Sequence, residues 1–247
     1  MLQVNDHNAV REIRMDRPPA NALNLPLVSA LQEALNSAFQ DDVAAVVISG
    51  REGMFSGGLD VPELLGRPRA EIHDFWQRFF ALTHALADSP VPIVAAITGH
   101  APAGGAVLAL HCDYRVAAAG SWKIGLNEVR VGLAVPSTIL QALADLIGPR
   151  NAHRLAGSGS MVEMDEALRL GMVDELVAGE MVIARALAWC EEMTVLPPIA
   201  MNQTRRLAKA DFVARLAASD DASTATEFWF SEETQAAMQA LVERLRG

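Results

Sequence analysis

Cysteine is scarce in this sequence, and its two cysteines, Cys112 and Cys190, lie far apart along the chain. Two isolated thiols in 247 residues argue against a disulfide framework and favour a reducing compartment. We expect each thiol to be a small, buried, apolar side chain rather than a nucleophile.

Basic residues are also in deficit, since 20 lysines and arginines stand against 30 aspartates and glutamates, for a formal net charge of -10. A nucleic-acid-binding surface needs clustered basic side chains to displace counterions from phosphates. The composition therefore argues against nucleic acid as a partner. It does not exclude a small anionic ligand, because a few local basic groups and helix N-termini can bind a phosphate.

The sequence lacks any run of ~20 apolar residues of the kind that spans a bilayer. Residues 1–6 have neither the basic start nor the apolar stretch of a secretion signal. We therefore expect a cytoplasmic protein with no membrane partner. A chain that is 51% hydrophobic and 20% charged is typical of a globular protein with a sizeable core.

Short, β-branched apolar runs at 43–49, 93–97 and 114–118 predict buried parallel strands. An amphipathic helix is predicted from about Leu25 to Gln40, with Asn24 as its cap. A second long amphipathic helix is expected between the first two of these strands. This alternation of strand, loop and helix indicates the α/β class.

The two ends of the chain differ from this alternation. Two strand-like runs open the chain, separated by the turn formers Asn5, Asp6 and Asn8. From about Ser160 the chain is predicted to be mostly helical, with Ser160 and Glu163 as a capping box. The final helical segment packs either on its own domain or on a neighbouring subunit, and the pattern favours neither.

Two loops that follow predicted strands are rich in glycine, at 55–60 and 99–106. Glycine lets the backbone approach a ligand closely, and an N–H at the start of a helix has no intrahelical partner. The amides of Leu59 and Gly104 are therefore candidate donors to an oxyanion. Each loop alone is weak evidence, because ordinary strand-to-helix turns use glycine too, but two such loops make a paired-amide site more credible.

Two acidic residues belong to loops of this kind. Asp60 is better placed to cap the following turn than to react. Glu128 is the one acid in the largely apolar segment 124–133, where desolvation would raise its pKa and make it a better base for a weakly acidic C–H. The alternative is a solvated glutamate paired with Arg130, which this segment alone favours. The nearby histidines have no partners at metal-ligand spacing.

The segments FSGGLD, HAPAGGAVLALHCDYR and IGLNEVRVGL, in this order and spacing, resemble the crotonase (enoyl-CoA hydratase/isomerase) superfamily. The resemblance continues through MDEALRLGMVDELV and is strongest to the mitochondrial-type Δ3,Δ2-enoyl-CoA isomerases. It implies an α/β fold, a crotonase-like spiral of ββα units over residues 1–195. It also implies a C-terminal helical region, 196–247, used in trimer packing, and a homotrimer or a dimer of trimers.

By the same resemblance, the family's oxyanion hole falls on the amides of Leu59 and Gly104, and the isomerases' single catalytic glutamate falls on Glu128. The implied acyl-CoA contacts are Ala20, Asn21, Ala22, Ser56, Gly57, Gly58, Asp60 and Asn127. The resemblance implies no metal and no cofactor, since coenzyme A enters as part of an acyl-CoA thioester substrate.

Two positions depart from related activities of the superfamily. The hydratases that the chain resembles use a second glutamate to activate water, and that position is Val107 here. Dienoyl-CoA isomerases place a second acid about two helical turns after the first, in a region that here contains Pro136. One base with an oxyanion hole suits a 1,3 proton shift, so the resemblance implies conversion of 3-enoyl-CoA to 2-trans-enoyl-CoA.

Other functions stay open on the sequence. They are hydration or other enolate chemistry on acyl-CoA, a non-catalytic acyl-CoA-binding role, and RNA binding, which the acidic balance disfavours. Segment 228–230 either lines the acyl pocket, meets another subunit or packs in the core. The sequence does not choose which basic side chains meet the phosphates of coenzyme A, among Arg206, Lys209, Arg244 and Arg246.

Overall fold

The computed structural model describes residues 1–246, with side chains to residue 245. Its strands are β1 (Leu2–His7), β2 (Val10–Met15), β3 (Ala45–Ser49), β4 (Gly53–Met54), β5 (Ile93–Ile97), β6 (Gly99–Pro102), β7 (Tyr114–Ala118), β8 (Lys123–Gly125), β9 (Val162–Glu163) and β10 (Glu175–Val177). Its helices are α1 (Leu25–Gln40), α2 (Val61–Leu64), α3 (Arg69–Ala87), α4 (Gly104–Leu110), α5 (Ser137–Ile147), α6 (Pro149–Ser158), α7 (Met164–Leu170), α8 (Val182–Thr194), α9 (Pro198–Ala218), α10 (Asp221–Trp229) and α11 (Glu232–Arg246). Short 3₁₀ turns span Glu128–Val131 and Gly179–Met181.

The main sheet has six strands in the order β1-β2-β3-β5-β7-β10. β1 and β2 form an antiparallel hairpin, and every other neighbouring pair is parallel. β3 and β5 are buried along their whole length, as their unbroken apolar sequences predict. The predicted α/β class is confirmed. The two cysteines are buried and unpaired, as expected.

A second, smaller sheet has the order β4-β6-β8-β9. β4, β6 and β8 each follow a strand of the main sheet after a few residues, and the chain continues beyond each of them into a helix or a 3₁₀ turn. This repetition is the spiral of ββα units that the resemblance implied. The sequence predicts a loop at 99–106, and β6 lies within that segment, because strands of two to four residues carry no detectable alternation.

α1 shows why the local predictions worked. It starts and ends where predicted, and the Asn24 side chain accepts a hydrogen bond from the Leu27 amide at 3.0 Å. Leu31 and Leu35 recur with Leu27 at intervals of four residues and are buried against the sheet.

Two local predictions are wrong. The hairpin turn lies at residues 8–9, and Asn5 and Asp6 belong to β1, where they pair with β2. The Ser160–Glu163 capping box does not form, because Glu163 is in β9 opposite Lys123 and makes no side-chain cap hydrogen bond to α7. Tertiary pairing overrides the local cap signal there.

The C-terminal region is helical through the described residues, as predicted from Pro197 onward. α10 packs against α3, whereas α9 buries only Leu216 along its length. The division of the chain at 195/196 stays a prediction, and Gly247 lies outside the described residues. Within the described part of the chain, no helix is both long and apolar enough to cross a membrane.

Candidate active site

A small cleft lies between α3, α4, α10 and the 3₁₀ turn that begins at Glu128. Its lining residues are Leu59, Trp76, Phe79, Gly104, Val107, Glu128, Leu133, Ala134, Pro136, Ile139 and Ala225. The three residues predicted to form the chemical centre, Leu59, Gly104 and Glu128, therefore line one cavity although they come from three separate segments.

Glycine allows the first loop to lie directly against the start of α4. Gly58 has a φ of +82°, and a Cβ built there would lie 3.0 Å from the Ala103 Cβ and 3.2 Å from the Gly104 nitrogen. A Cβ on Gly105 would lie 2.5 Å from the Ser56 carbonyl oxygen. The Gly105 contact is shorter than real Cβ atoms make, and at Gly58 a tight contact is combined with a positive φ, so this close approach of two backbones requires glycine at 105 and strongly favours it at 58.

The amides of the two loops are left available for a ligand. Leu23 donates to the Gly58 carbonyl at 2.7 Å and accepts from the Asp60 amide at 2.9 Å, which leaves the Leu59 N–H without an acceptor among the described residues. Gly104 is the first residue of α4, so its N–H falls outside the helix's own hydrogen-bonding pattern. Two backbone donors that border one cleft can stabilise a developing oxyanion.

Several predicted acyl-CoA contacts brace this loop. The side chain of Asn21 is fully buried and donates to the carbonyls of Met15 at 3.1 Å and Phe55 at 3.0 Å. Ser56 Oγ donates to the Asn21 carbonyl at 2.8 Å. The Gly57 amide donates to the carbonyl of residue 20 at 2.7 Å. Segment 20–22 is thus fastened to the glycine loop, and a role in substrate contact stays a prediction for these residues.

The other two predicted contacts differ from each other. Asp60 caps α2 by accepting from the Glu63 amide at 3.1 Å, and its second oxygen pairs with Arg17 at 2.7 Å. The preferred interpretation of Asp60 as a cap is confirmed. Asn127 precedes the catalytic candidate, and its buried Oδ1 has no hydrogen-bond partner among the described residues. Its contact with substrate stays a prediction.

Glu128 is a buried carboxylic acid with 8% exposure. Its Oε2 has no hydrogen-bond partner in the described part of the chain. Burial raises its pKa to about 7, against a smaller lowering by its own amide. Arg130 instead donates to the Gly159 carbonyl at 2.6 Å. The alternative of a solvated glutamate paired with Arg130 is therefore wrong.

The rest of the cleft is apolar. Among the described lining residues, Glu128 is the one titratable side chain, and both Val107 and Pro136 border the same space. His111 lies outside it, with Nδ1 2.7 Å from the Val107 carbonyl oxygen, and burial lowers the pKa of His111 to about 4. Among the described residues, no three His, Cys, Asp or Glu side chains are grouped in a way that would hold a metal ion.

Sequence reasoning missed the aromatic wall of the cleft. The periodicity of α3 predicts that Phe79 is buried, but it cannot show that this residue and Trp76 border a cavity. Trp229 is fully buried and packs edge-on against Trp76, with ring centroids 6.3 Å apart. Trp229 thus belongs to the core, whereas Phe228 is exposed on the surface.

The chain is similar to known proteins over nearly its whole length. The chain matches the family described as enoyl-CoA hydratase/isomerase over residues 5–247. Human mitochondrial enoyl-CoA delta isomerase 1 is 32% identical over 242 residues, which cover 96% of this chain and 80% of that protein. The probable enoyl-CoA hydratase EchA17 of Mycobacterium tuberculosis is 36% identical over 188 residues, which cover 76% of this chain and 72% of that protein.

The fold is shared more closely than the sequence. The crystal structure of human mitochondrial delta3-delta2-enoyl-CoA isomerase superposes with a TM-score of 0.94 at 31% identity, covering 99% of this chain and 98% of that one. The aligned region therefore spans the segments of this chain that carry both glycine loops, Glu128 and the C-terminal helices. The chain belongs to the enoyl-CoA hydratase/isomerase family.

Proposed function

We propose that this protein is an enoyl-CoA isomerase that converts a 3-enoyl-CoA to the 2-trans-enoyl-CoA by moving one proton through Glu128. The observation that carries the proposal is the isolation of Glu128, the one titratable side chain among the described residues that line the cleft. The two backbone donors of Leu59 and Gly104 border the same space.

In this reaction the thioester oxygen accepts hydrogen bonds from the Leu59 and Gly104 amides. The Glu128 carboxylate removes a proton from C2, and the electron pair of that C–H bond forms the C1=C2 double bond of a dienolate, while the carbonyl π pair moves onto the thioester oxygen. The protonated glutamate then donates to C4: the oxygen reforms the C=O bond, the C1=C2 pair shifts to C2=C3, and the C3=C4 pair forms the new C4–H bond. The product is conjugated with the thioester, and Glu128 regains its starting state. Each amide contributes on the order of 3 kcal/mol to lowering the barrier.

The electrostatics of the cleft suit both halves of this proton transfer. A pKa of about 7 leaves a substantial fraction of Glu128 ionised at neutral pH, and it makes the protonated form a competent acid. The apolar walls exclude water from the dienolate, which keeps the proton on Glu128 for return to C4.

A second candidate, hydration of a 2-enoyl-CoA, has support in the similarity to a probable enoyl-CoA hydratase. Hydration by the enzymes that the chain resembles uses two glutamates, and Val107 stands at the second position and borders the cleft. A valine side chain can neither orient water nor exchange a proton. We therefore rank hydration below isomerisation, and faster hydration of crotonyl-CoA than conversion of 3-hexenoyl-CoA would reverse that order.

The test is turnover of 3-hexenoyl-CoA, followed by the absorbance of the conjugated enoyl-thioester. Glu128→Gln should lower turnover by at least about 10²-fold, because the amide cannot accept the C2 proton, while binding of the CoA ester persists. The matched control is Glu12→Gln, a change of a buried carboxylate outside the cleft, which should leave turnover unchanged. Undiminished turnover by Glu128→Gln would refute the proposal.

We also propose the homotrimer, or dimer of trimers, that the resemblance implies. α9 has 21 residues but buries only Leu216, and it exposes Ile199 at 87% and Leu207 at 66%. A second copy of the chain would cover such apolar side chains. Light scattering of the purified protein would test this, and a monomer would contradict it. The cytoplasmic location stays a prediction.

Two of the basic side chains that could bind the phosphates of coenzyme A differ in how strongly they are already paired with carboxylates. Lys209 Nζ lies 2.5 Å from a carboxylate oxygen of Asp113, so this ammonium group is already engaged. Arg206 is more exposed and only loosely paired, 3.8 Å from Asp88. Arg206 is therefore the better candidate of these two, and the side chain of Arg246 lies outside the described part.

A further inference from the structure

The turn that carries Glu128 is fastened by the C-terminal helix α11. Thr234, in the first turn of that helix, is fully buried, and its Oγ1 donates to the Gly132 carbonyl at 2.6 Å. Gly132 ends the 3₁₀ turn that Glu128 begins. A single hydroxyl group thus links the catalytic candidate to a helix about a hundred residues further along the chain.

The hydroxyl proton of Thr234 has one available direction. Ser231 Oγ donates to Thr234 Oγ1 at 2.9 Å and accepts from the Thr234 amide at 3.2 Å. Because Thr234 Oγ1 is already an acceptor of one hydrogen bond, its own proton is directed to the Gly132 carbonyl. The serine therefore orients the threonine, and the threonine holds the turn.

The two backbones also meet closely at this point. Gly132 has a φ of +75°, and a Cβ built on it would lie 2.9 Å from the Thr234 Cα and 3.2 Å from the Thr234 nitrogen. Glycine is required for this approach, which places the Gly132 carbonyl within reach of the hydroxyl.

The peptide units held in this way close the Glu128 turn. The Gly132 amide donates to the Val129 carbonyl at 3.2 Å, and the Leu133 amide donates to the Glu128 carbonyl at 3.1 Å. A 3₁₀ turn of four residues has poor hydrogen-bond geometry of its own. Its shape therefore depends on outside contacts, of which the described residues supply Thr234 on one side and the Arg130–Gly159 hydrogen bond on the other.

We propose that Thr234 is a positioning residue for the isomerisation: its hydrogen bond to Gly132 fixes the turn that aims the Glu128 carboxylate into the cleft. No described residue of α11 lines the cleft, so this helix acts on the catalytic centre through the turn. The inference rests on the proposed function for its catalytic meaning, whereas the orientation and dryness of Glu128 can be measured without turnover.

Thr234→Val keeps the shape of the side chain and removes the donor. The Gly132 carbonyl is then left without its partner, and the turn relaxes toward water. A small displacement of the reacting carboxylate should lower kcat about tenfold with little change in KM. The pKa of Glu128 should fall toward its usual range, because burial is the main cause of its elevation.

The charged groups near the turn do not obscure this readout. Glu232 and Glu233 begin α11, Arg130 belongs to the turn itself, and Arg154 lies on the neighbouring α6. None of these side chains contributes to the raised pKa of Glu128. A lowered pKa in Thr234→Val would therefore report hydration of the carboxyl group.

The experiment compares wild type with Thr234→Val, Thr234→Ser and Thr83→Val. Thr83 is the matched control, since it is also fully buried but its hydroxyl group donates to Phe80 within α3. For each protein, kcat and KM are measured with 3-hexenoyl-CoA across pH. The carboxyl group of Glu128 is titrated by ¹³C NMR, with the signal assigned by its absence in Glu128→Gln.

We expect Thr234→Val to lose kcat and to shift the Glu128 titration downward, Thr234→Ser to restore both, and Thr83→Val to change only stability. An unshifted titration in Thr234→Val, or a shifted one that serine does not restore, would overturn the proposal. If the wild type fails to isomerise 3-hexenoyl-CoA, the proposed function fails. The NMR titration would still decide the role of Thr234 in that case.

Discussion

Replacing Glu128 with glutamine should make the folded protein more stable, with an effect that appears above pH 4.5 and is complete above about pH 7. Glu128 is buried without a hydrogen-bond partner for Oε2 among the described residues, and its pKa is raised from 4.5 to about 7. Folding therefore imposes a cost on the ionised form of this carboxyl group. Glu128→Gln removes the ionisation and with it the cost.

The sign and size of the effect follow from proton linkage. Between pH 4.5 and about 7 the native state binds more protons at Glu128 than the unfolded chain does, so this residue makes stability fall as the pH rises. At about 1.4 kcal/mol for each pH unit of pKa difference, the loss above pH 7 amounts to about 3 kcal/mol. Glu128→Gln should thus be stabilising by about 3 kcal/mol in alkaline solution and nearly neutral in acid below pH 4.5.

Urea unfolding of wild type and Glu128→Gln across this pH range measures the difference. The control is Glu12→Gln, in which the replaced carboxylate accepts a hydrogen bond from Ser49 at 2.6 Å and pairs with His7. That change removes a favourable interaction and should give no alkaline stabilisation. A difference between wild type and Glu128→Gln that does not vary with pH would refute the reasoning.

Three further predictions concern activity. In Gly58→Ala the new Cβ would lie 3.2 Å from the Gly104 nitrogen and would disturb that oxyanion donor. The loss of one donor should lower kcat by about 10²-fold. Unimpaired turnover of 3-hexenoyl-CoA would contradict this prediction. Val107→Glu should raise the rate of crotonyl-CoA hydration by at least about tenfold relative to Val107→Leu, because it supplies a second proton-transferring group. No gain would contradict the argument that the missing second glutamate is what disfavours hydration. For wild type, kcat/KM should rise with pH through about 7, since the base must be ionised, and a flat profile would exclude Glu128 as that base.

Much of the fold was predictable because its signals are local. The bounds of α1 follow from the side-chain cap at Asn24 and from apolar residues one turn apart, interactions that span at most four positions. β5 and β7 start and end where their apolar runs do. The small second sheet was not predictable, because its strands are two to four residues long and are defined by pairing with each other.

For the candidate site, too, local sequence signals predicted some features and not others. The glycine loops and the one acid in an apolar segment marked Leu59, Gly104 and Glu128 as candidates, although the segment alone favoured a solvated glutamate beside Arg130. The wrong capping box at Ser160 shows the limit of such motifs, since Glu163, its second residue, pairs with Lys123 of β8 instead. Local chemistry names candidates, and it does not decide which of them are buried.

The sequence by itself determined the α/β class, the bounds of α1, β5 and β7 and the candidate reactive groups, because hydrophobic period, caps and glycine act over a few neighbouring residues. Only the tertiary structure decided that Glu128 is buried, with its pKa raised to about 7, and that Trp76 lines the cleft. It alone placed Thr234 on Gly132, 102 residues away in the chain. Desolvation and positioning depend on side chains brought together from distant segments, and no local pattern records which segments will meet.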